Sequence, residues 1–401
     1  MPYRRLKAFI RKLSRPARLG RGDASATILP YRGYGTRRSV RLTGRVFRQP
    51  TFGSDLAHGE PRRWYLDILR RFLRRGLGDA ELTASCAGIR RSFRTDRYGY
   101  FDILLEPAEA LPPDRLWHRV DLVLLKDGEA WHTAYGEVFV PPDGSRFVVI
   151  SDIDDTVVHT GVGNVIAMMW RLFILDAEAR TAFPGVSALY RGLHEPNLNP
   201  ILYVSRGPWS LYEVLDEFFA INDIPVGPIL FLRDWGLTLQ HPLPRRARDH
   251  KLALIREMLA VYDSLPILLV GDSGQHDPEI YERIVAEHPG RVMAVYIRDV
   301  SRDRGRSAAL ADLAARLQEA GSELVLAQDS LALARHAAAR GWLHESHCAE
   351  VAEAVAGRAD EAGPGPGAGP GPGPGPGPGA GPGPGAGPGP GAGAGAGAGT
   401  G

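Results

Sequence analysis

The sequence predicts a two-part α/β protein: a small β-sandwich over residues 27–145, then a doubly wound, Rossmann-like parallel sheet over residues 146–345. Short alternating strands separated by turn residues crowd the first part, as in half-buried antiparallel sheets. From Phe147 the rhythm changes to short apolar strands alternating with helices, the mark of a parallel sheet buried on both faces. A basic arm and linker (1–26) precede both parts, and a Gly/Pro/Ala tail (360–401) follows them. At 401 residues, two domains plus tails is the natural division.

The arm comes first. Residues 1–50 hold 14 Lys or Arg against one acid, Asp23, so a net charge of +2 for the chain hides +13 here and −11 elsewhere. In residues 3–13, Leu6, Phe9, Ile10 and Leu13 share one helical face with Arg and Lys on the other. Such a helix suits peripheral contact with an anionic membrane, and equally suits a solvated arm or a segment packed on the body. The N-terminus lacks the apolar core of a secretory signal, and no stretch approaches a membrane span. Two cysteines, Cys86 and Cys348, lie far apart without ligand spacing, which suits a reducing, cytoplasmic compartment.

In the β-rich part, Ser39–Arg48 alternates apolar and polar residues, and strands are expected at 89–95, 98–105, 117–125 and 131–140. One helix interrupts them, with Trp64, Ile68, Leu69, Phe72 and Leu73 on one face between Pro61 and Gly76. Arg70 and Arg71 beside these aromatics read as the polar side of that helix, not as a base-stacking platform, and no nucleic-acid partner is expected. In the second part, strands are expected to end at Ser151, Ser205, Leu232, Asp272, Ile297 and Ala327. Helices are expected at 210–220, 250–262, 278–288, 308–320 and 331–339. The apolar stretch Val165–Leu175 reads as a buried helix or as the apolar wall of an entrance. In the tail, glycine occupies every odd position from Gly363 to Gly401; collagen needs a period of three, so disorder is the expectation.

Chemistry concentrates at the end of the first parallel strand, in Phe147-Val-Val-Ile-Ser-Asp152-Ile-Asp154-Asp155-Thr156. Three carboxylates within four residues cannot all ionise in a dry cleft unless a cation holds them, and the spacing lets Asp152 and Asp154 share one hard ion such as Mg²⁺. Ser205 ends a second strand, Lys251 opens a helix, and Gly271-Asp272-Ser-Gly-Gln-His-Asp277 ends a third strand. Each alone has an ordinary explanation, as a helix cap or a solvated side chain. Together they form the ordered set that phosphoryl transfer requires. Asp152 would be the nucleophile and Asp154 the acid and then the base. Mg²⁺ would be held by Asp152, the Asp154 carbonyl and Asp272, while Ser205 and Lys251 would hold phosphoryl oxygens. Asp277 would anchor Lys251 or a metal-bound water, with Thr156 in support. Of the 48 basic residues only four are lysine, so a lysine in the required window is informative.

Asp152-x-Asp154-x-Thr156, Ser205, Lys251 and Gly271-Asp272-x4-Asp277 follow the order of the four motifs of the haloacid-dehalogenase-like (HAD-type) phosphatases. More narrowly, Ile150–Thr156 and Gly271-Asp-Ser-Gly-Gln-His-Asp-Pro-Glu-Ile-Tyr281 resemble the catalytic domain of the actin-patch-associated phosphatidate phosphatases. The resemblance runs from about Tyr31 to about Asp299. It implies Mg²⁺-dependent hydrolysis of phosphatidate, or a related phospholipid, to diacylglycerol through an aspartyl phosphate. The chain departs from the family's small residues after the second-motif serine by placing Arg206-Gly207 there, a guanidinium that suits a more charged head group or a plain surface. Two alternatives stay open: the same chemistry on a soluble or nucleic-acid phosphomonoester, and a membrane-binding adaptor without catalysis. The intact Asp152, Asp154, Lys251 and Asp272 argue against the adaptor.

Overall fold

Two sheets divide the chain where its hydrophobic rhythm changes. The computed structural model describes residues 26–48, 74–153, 156–157, 182–195, 198–205, 209–231, 247–273, 276–300 and 304–361. The expected helices at 3–13 and 61–76, the Val165–Leu175 stretch, Asp154, Arg206-Gly207 and the tail from 362 lie outside those residues, apart from Arg74–Gly76.

The first sheet has eight strands: β1 (Ala26–Pro30), β2 (Gly33–Thr36), β3 (Ser39–Arg48), β4 (Glu81–Cys86), β5 (Ile89–Arg94), β6 (Tyr100–Leu105), β7 (Trp117–Lys126) and β8 (Glu129–Phe139). Its path is β1-β3-β2-β8-β7-β4-β5, with β6 paired to β3. β4 buries every second residue, and β3 and β7 do so over most of their length, which is what a strand with one face on a core must do. Val40, Leu42, Leu82, Ile103 and Leu122 meet in one core. Phe93 of β5 and Phe101 of β6 approach to 5.6 Å, so the last strand of the path meets the branch strand β6 over that core. The arrangement differs from two separate antiparallel sheets. Hydrogen bonds run through all eight strands, and one pair, β2–β8, is parallel.

The second sheet is six-stranded and parallel throughout, built from β9 (Val148–Asp152), β10 (Ile201–Ser205), β11 (Ile229–Phe231), β12 (Ile267–Asp272), β13 (Val292–Arg298) and β14 (Glu323–Ala327). Every residue of β9, β10 and β12 is buried, because helices cover both faces. Among the described residues the helices are α1 (Val186–His194), α2 (Tyr212–Ile221), α3 (Ala247–Val261), α4 (Asp277–Glu287), α5 (Arg304–Glu319), α6 (Ser330–Ala339) and α7 (Glu345–Glu361). Val149, Tyr203 and Val270 face the core shared with α1, α2, α6 and α7. Ile150, Val204 and Leu269 face the core shared with α3, α4 and α5. The strand order is β11-β10-β9-β12-β13-β14, so successive connections leave β9 in opposite directions. A crevice opens at such a reversal, outside the carboxyl ends of the two central strands. Here those strands end in Asp152 and Asp272.

The first sheet leans on the second through α2 and α3. The Tyr34 hydroxyl donates to Glu257 of α3 at 2.8 Å, and Arg41, bidentate on Asp102, also pairs with Glu257. Arg32 pairs with Asp216 and Arg74 with Glu213, both on α2. Tyr31, buried between β1 and β2, stacks on Trp209 with ring centroids 4.7 Å apart and an interplanar angle of 11°. Trp209 opens a short 3-10 turn four residues after Ser205, so this contact braces the chain that leaves the β10 terminus. Tyr31→Ala is expected to cost about 3 kcal/mol in urea unfolding, while Tyr31→Phe, which keeps the ring, stays within about 1 kcal/mol of wild type. Equal stabilities for the two variants would show that the stack contributes little.

Candidate functional site: a buried carboxylate–lysine cluster at the sheet reversal

Asp152, Ser205 and Asp272 end three adjacent strands, with β9 between β10 and β12. All three side chains are buried, and Asp152 is 0% exposed. Lys251 enters from α3 and is 1% exposed. Its Nζ donates to Asp152 Oδ1 at 2.7 Å and to Asp277 Oδ1 at 2.5 Å. Asp277 is the first residue of α4, where a carboxylate is favoured by the helix dipole, and Pro278 follows it in the first turn. Its other oxygen, Oδ2, accepts the Asp272 backbone N–H at 3.4 Å. Asp277 therefore ties the lysine to the end of β12. Burial alone would push the Lys251 pKa down, but the charges of Asp152 and Asp277 outweigh it and hold the ammonium above the ordinary lysine value.

Carboxylate oxygens of Asp152, Asp272 and Asp277 lie within 4.8 Å of one another. Three ionised carboxylates and one ammonium carry two net negative charges in a buried cluster, a balance that a divalent cation neutralises. Among the described residues the donor set is hard oxygen, which fits a hard cation such as Mg²⁺. Because Asp277 is engaged by Lys251 and by the Asp272 amide, Asp152 and Asp272 are the carboxylates best placed to hold the ion.

The surroundings keep these groups in place. Ser151 Oγ donates to the Asp152 carbonyl at 2.6 Å and lies 2.6 Å from the Tyr190 hydroxyl of α1. Burial pushes the Tyr190 pKa up to about 12, so it is neutral at physiological pH. Ser273 Oγ donates to Asp299 at 2.9 Å and accepts the Val300 N–H at 3.0 Å, latching the segment after β12 to the end of β13. Gly271 is required by space: a Cβ there would lie 2.4 Å from Asp277 Oδ2 and 2.9 Å from Tyr281 Cε2. Gly271→Ala is accordingly expected to push Asp277 off Lys251 and to cost about 1–3 kcal/mol in urea unfolding. A variant as stable as wild type would show that the carboxylate can shift without consequence.

Of the residues singled out in the sequence, Asp152, Lys251, Asp272 and Asp277 are brought into one cluster. Ser205 lies at the neighbouring strand end, and Thr156 is buried just beyond β9. Asp154 lies outside the described residues. Sequence reasoning passed over Tyr190, Ser273, Asp299 and Arg298. The last of these was signalled by a charged residue ending the apolar run Val292–Ile297.

Residues 147–299 match the family described as "Phosphatidate phosphatase APP1, catalytic domain". Phosphatidate phosphatase APP1 of Saccharomyces cerevisiae is 30% identical over 205 residues, covering 51% of this chain and 34% of that protein. An uncharacterized protein of Schizosaccharomyces pombe is 33% identical over 165 residues, covering 40% of this chain and 26% of its own length. The chain thus spans about a third or less of the curated relatives it matches. Among solved structures, a carbohydrate acetylesterase from Xanthomonas citri aligns over 76% of this chain and 69% of its own at 12% identity, with a TM-score of 0.28, too low to carry an argument. The matched segment begins one residue before β9 and ends one residue after β13, so it contains the whole carboxylate–lysine cluster. Residues 147–299 are thus similar to the catalytic domain of the APP1 phosphatidate phosphatase family.

Proposed function

We propose that this chain is a HAD-type, Mg²⁺-dependent phosphatase that hydrolyses a phosphomonoester, phosphatidate foremost, through an aspartyl phosphate. The observation that carries the reading is the buried Lys251 bridging Asp152 and Asp277 beside Asp272, at the reversal of a parallel sheet. The family of residues 147–299 supports phosphatidate as the substrate.

Asp152 attacks phosphorus, forming the Asp152–phosphorus bond as the bond from phosphorus to the lipid oxygen breaks. Asp154, two residues on, gives its proton to the departing alkoxide, which leaves as the free hydroxyl of diacylglycerol. The same carboxylate then takes a proton from water, whose oxygen attacks the aspartyl phosphate and releases inorganic phosphate and the Asp152 carboxylate. Lys251 and Ser205 hold phosphoryl oxygens, and Asp277 keeps Lys251 aimed. Mg²⁺ held by Asp152, Asp272 and the Asp154 carbonyl would supply neutralising charge for the transferring group. The eight-stranded sheet would serve as a brace for α2 and α3, with the functional division at residues 145–146. Among the described residues no helix is long and apolar enough to cross a membrane, and the basic segment 3–13 would bring the enzyme to an anionic bilayer.

The test is phosphate release from phosphatidate in mixed micelles by the full chain, with soluble phosphomonoesters alongside. Activity on the lipid is expected with Mg²⁺, lost on chelation and restored by adding the ion back. Removing residues 1–20 should weaken binding to anionic vesicles in a salt-dependent way. Hydrolysis of soluble esters alone would remove the lipid assignment, and activity indifferent to chelation would remove the metal.

A further inference from the structure

Two cations are buried among the described residues, Lys251 and Arg298, and they are treated differently. Lys251 is held by two carboxylates. Arg298, 4% exposed, has none within ion-pair distance among the described residues. One nitrogen, Nη2, donates to the neutral Ser330 hydroxyl at 2.9 Å, and the guanidinium lies 4.2 Å over the Phe183 ring. Nε is buried and has no hydrogen-bond acceptor among the described residues. Asp329, the N-cap of α6, acts on Arg298 only at a distance, its carboxylate being spent on the Ala332 N–H at 2.9 Å. A buried cation with a vacant donor and no counter-ion is costly to keep, and guanidinium has the fork geometry that phosphate oxygens fill.

Its place in the fold says which anion. Arg298 ends β13 in register with Asp272 on β12, so it stands on the same carboxyl edge as the carboxylate cluster, one strand over. The Ser273 N–H donates to the Arg298 carbonyl at 2.9 Å, which fixes that register at its end. The Tyr190 hydroxyl bonds to Ser151, next to Asp152 at the end of β9, and the charges of Arg298 and Asp152 both act on it. We propose that Arg298 is an oxyanion-binding residue, receiving phosphate oxygens of the bound phosphomonoester and of the phosphate product. The assignment rests on the phosphatase reading above and adds a contact outside the carboxylate–lysine cluster. Burial pushes the Arg298 pKa down without removing its charge, as expected of a cation kept without a counter-ion.

The test uses the full chain with Mg²⁺, labelled with ¹⁵N at arginine and titrated with inorganic phosphate. The Arg298 Nε–H resonance, recognised by slow exchange and by its loss in Arg298→Lys, is expected to shift saturably. Arg298→Met should weaken phosphate binding by about 10- to 100-fold, with Arg298→Lys in between. In micelles, KM for phosphatidate and inhibition by phosphate should weaken together. An unmoved resonance, or an Arg298→Met protein that binds phosphate as wild type does, overturns the assignment and leaves Arg298 as packing for Phe183 and α6. A loss confined to the lipid also overturns it. Should Arg298→Met not fold, the wild-type resonance decides alone. Wild-type hydrolysis with an unmoved Arg298 rejects only this assignment; phosphate binding through Arg298 without hydrolysis rejects only the phosphatase reading.

Discussion

Asp152→Asn is expected to lower phosphate release by at least about 10³-fold while leaving the fold intact. The substitution keeps the shape of the side chain and removes the charge that the proposed attack on phosphorus needs. Its stability effect should be small for a reason visible in the site. Lys251 retains its bond to Asp277 at 2.5 Å, and the cluster of three carboxylates around one ammonium becomes less negative. The melting temperature should therefore stay within a few degrees of wild type, so that lost activity cannot be ascribed to unfolding. Mg²⁺ protection against thermal unfolding should weaken, since one of the two best-placed carboxylates is gone. A variant retaining more than about a tenth of wild-type activity would mean that Asp152 does not attack phosphorus.

The elements that were legible in the sequence are those whose environment leaves a pattern. β9, β10, β12 and β13 are buried on both faces and so read as continuous apolar runs. β3 and β7 have one buried face and alternate. β2 left no such trace, because Gly33-Tyr-Gly-Thr36 carries two glycines and reads as a turn. β4, Glu81–Cys86, was hidden by its small residues Thr83, Ala84 and Ser85. α7 is rich in Ala and Glu and abuts the Gly/Pro/Ala tail; its buried anchor, Val351, gives too little periodicity to see. The strand order and the registers depend on pairing between distant segments, which no local pattern encodes.

The site shows the same division. Carboxylates at strand ends and a rare lysine stand out against the composition of the chain. Arg298 does not, as one of 44 arginines, and only its burial without a carboxylate distinguishes it. What the sequence could not show is that Lys251 serves two acids at once.

Those two ion pairs make Lys251→Met the second large effect. Methionine fits the volume of the lysine stem but removes the ammonium, leaving Asp152 and Asp277 buried without their cation. Breaking a buried pair in this way costs about 3–5 kcal/mol. Loss of a positive charge beside the transferring group should lower activity by about 10²- to 10⁴-fold. Mg²⁺ should then stabilise the variant against urea more than it stabilises wild type, since the ion takes over charge that the lysine had neutralised. The pH dependence follows from the raised Lys251 pKa. The folded protein holds this proton more tightly than the unfolded chain does, so its contribution is complete below the ordinary lysine value of 10.5 and is lost as pH rises through the raised value. Buried tyrosines such as Tyr190 and Tyr281 lose stability in the same direction. The diagnostic quantity is therefore the stability gap between wild type and Lys251→Met, which should be constant from neutral pH to about 10 and narrow above 10.5. A gap that closes already near neutral pH would show that the ammonium is not what the two carboxylates rely on.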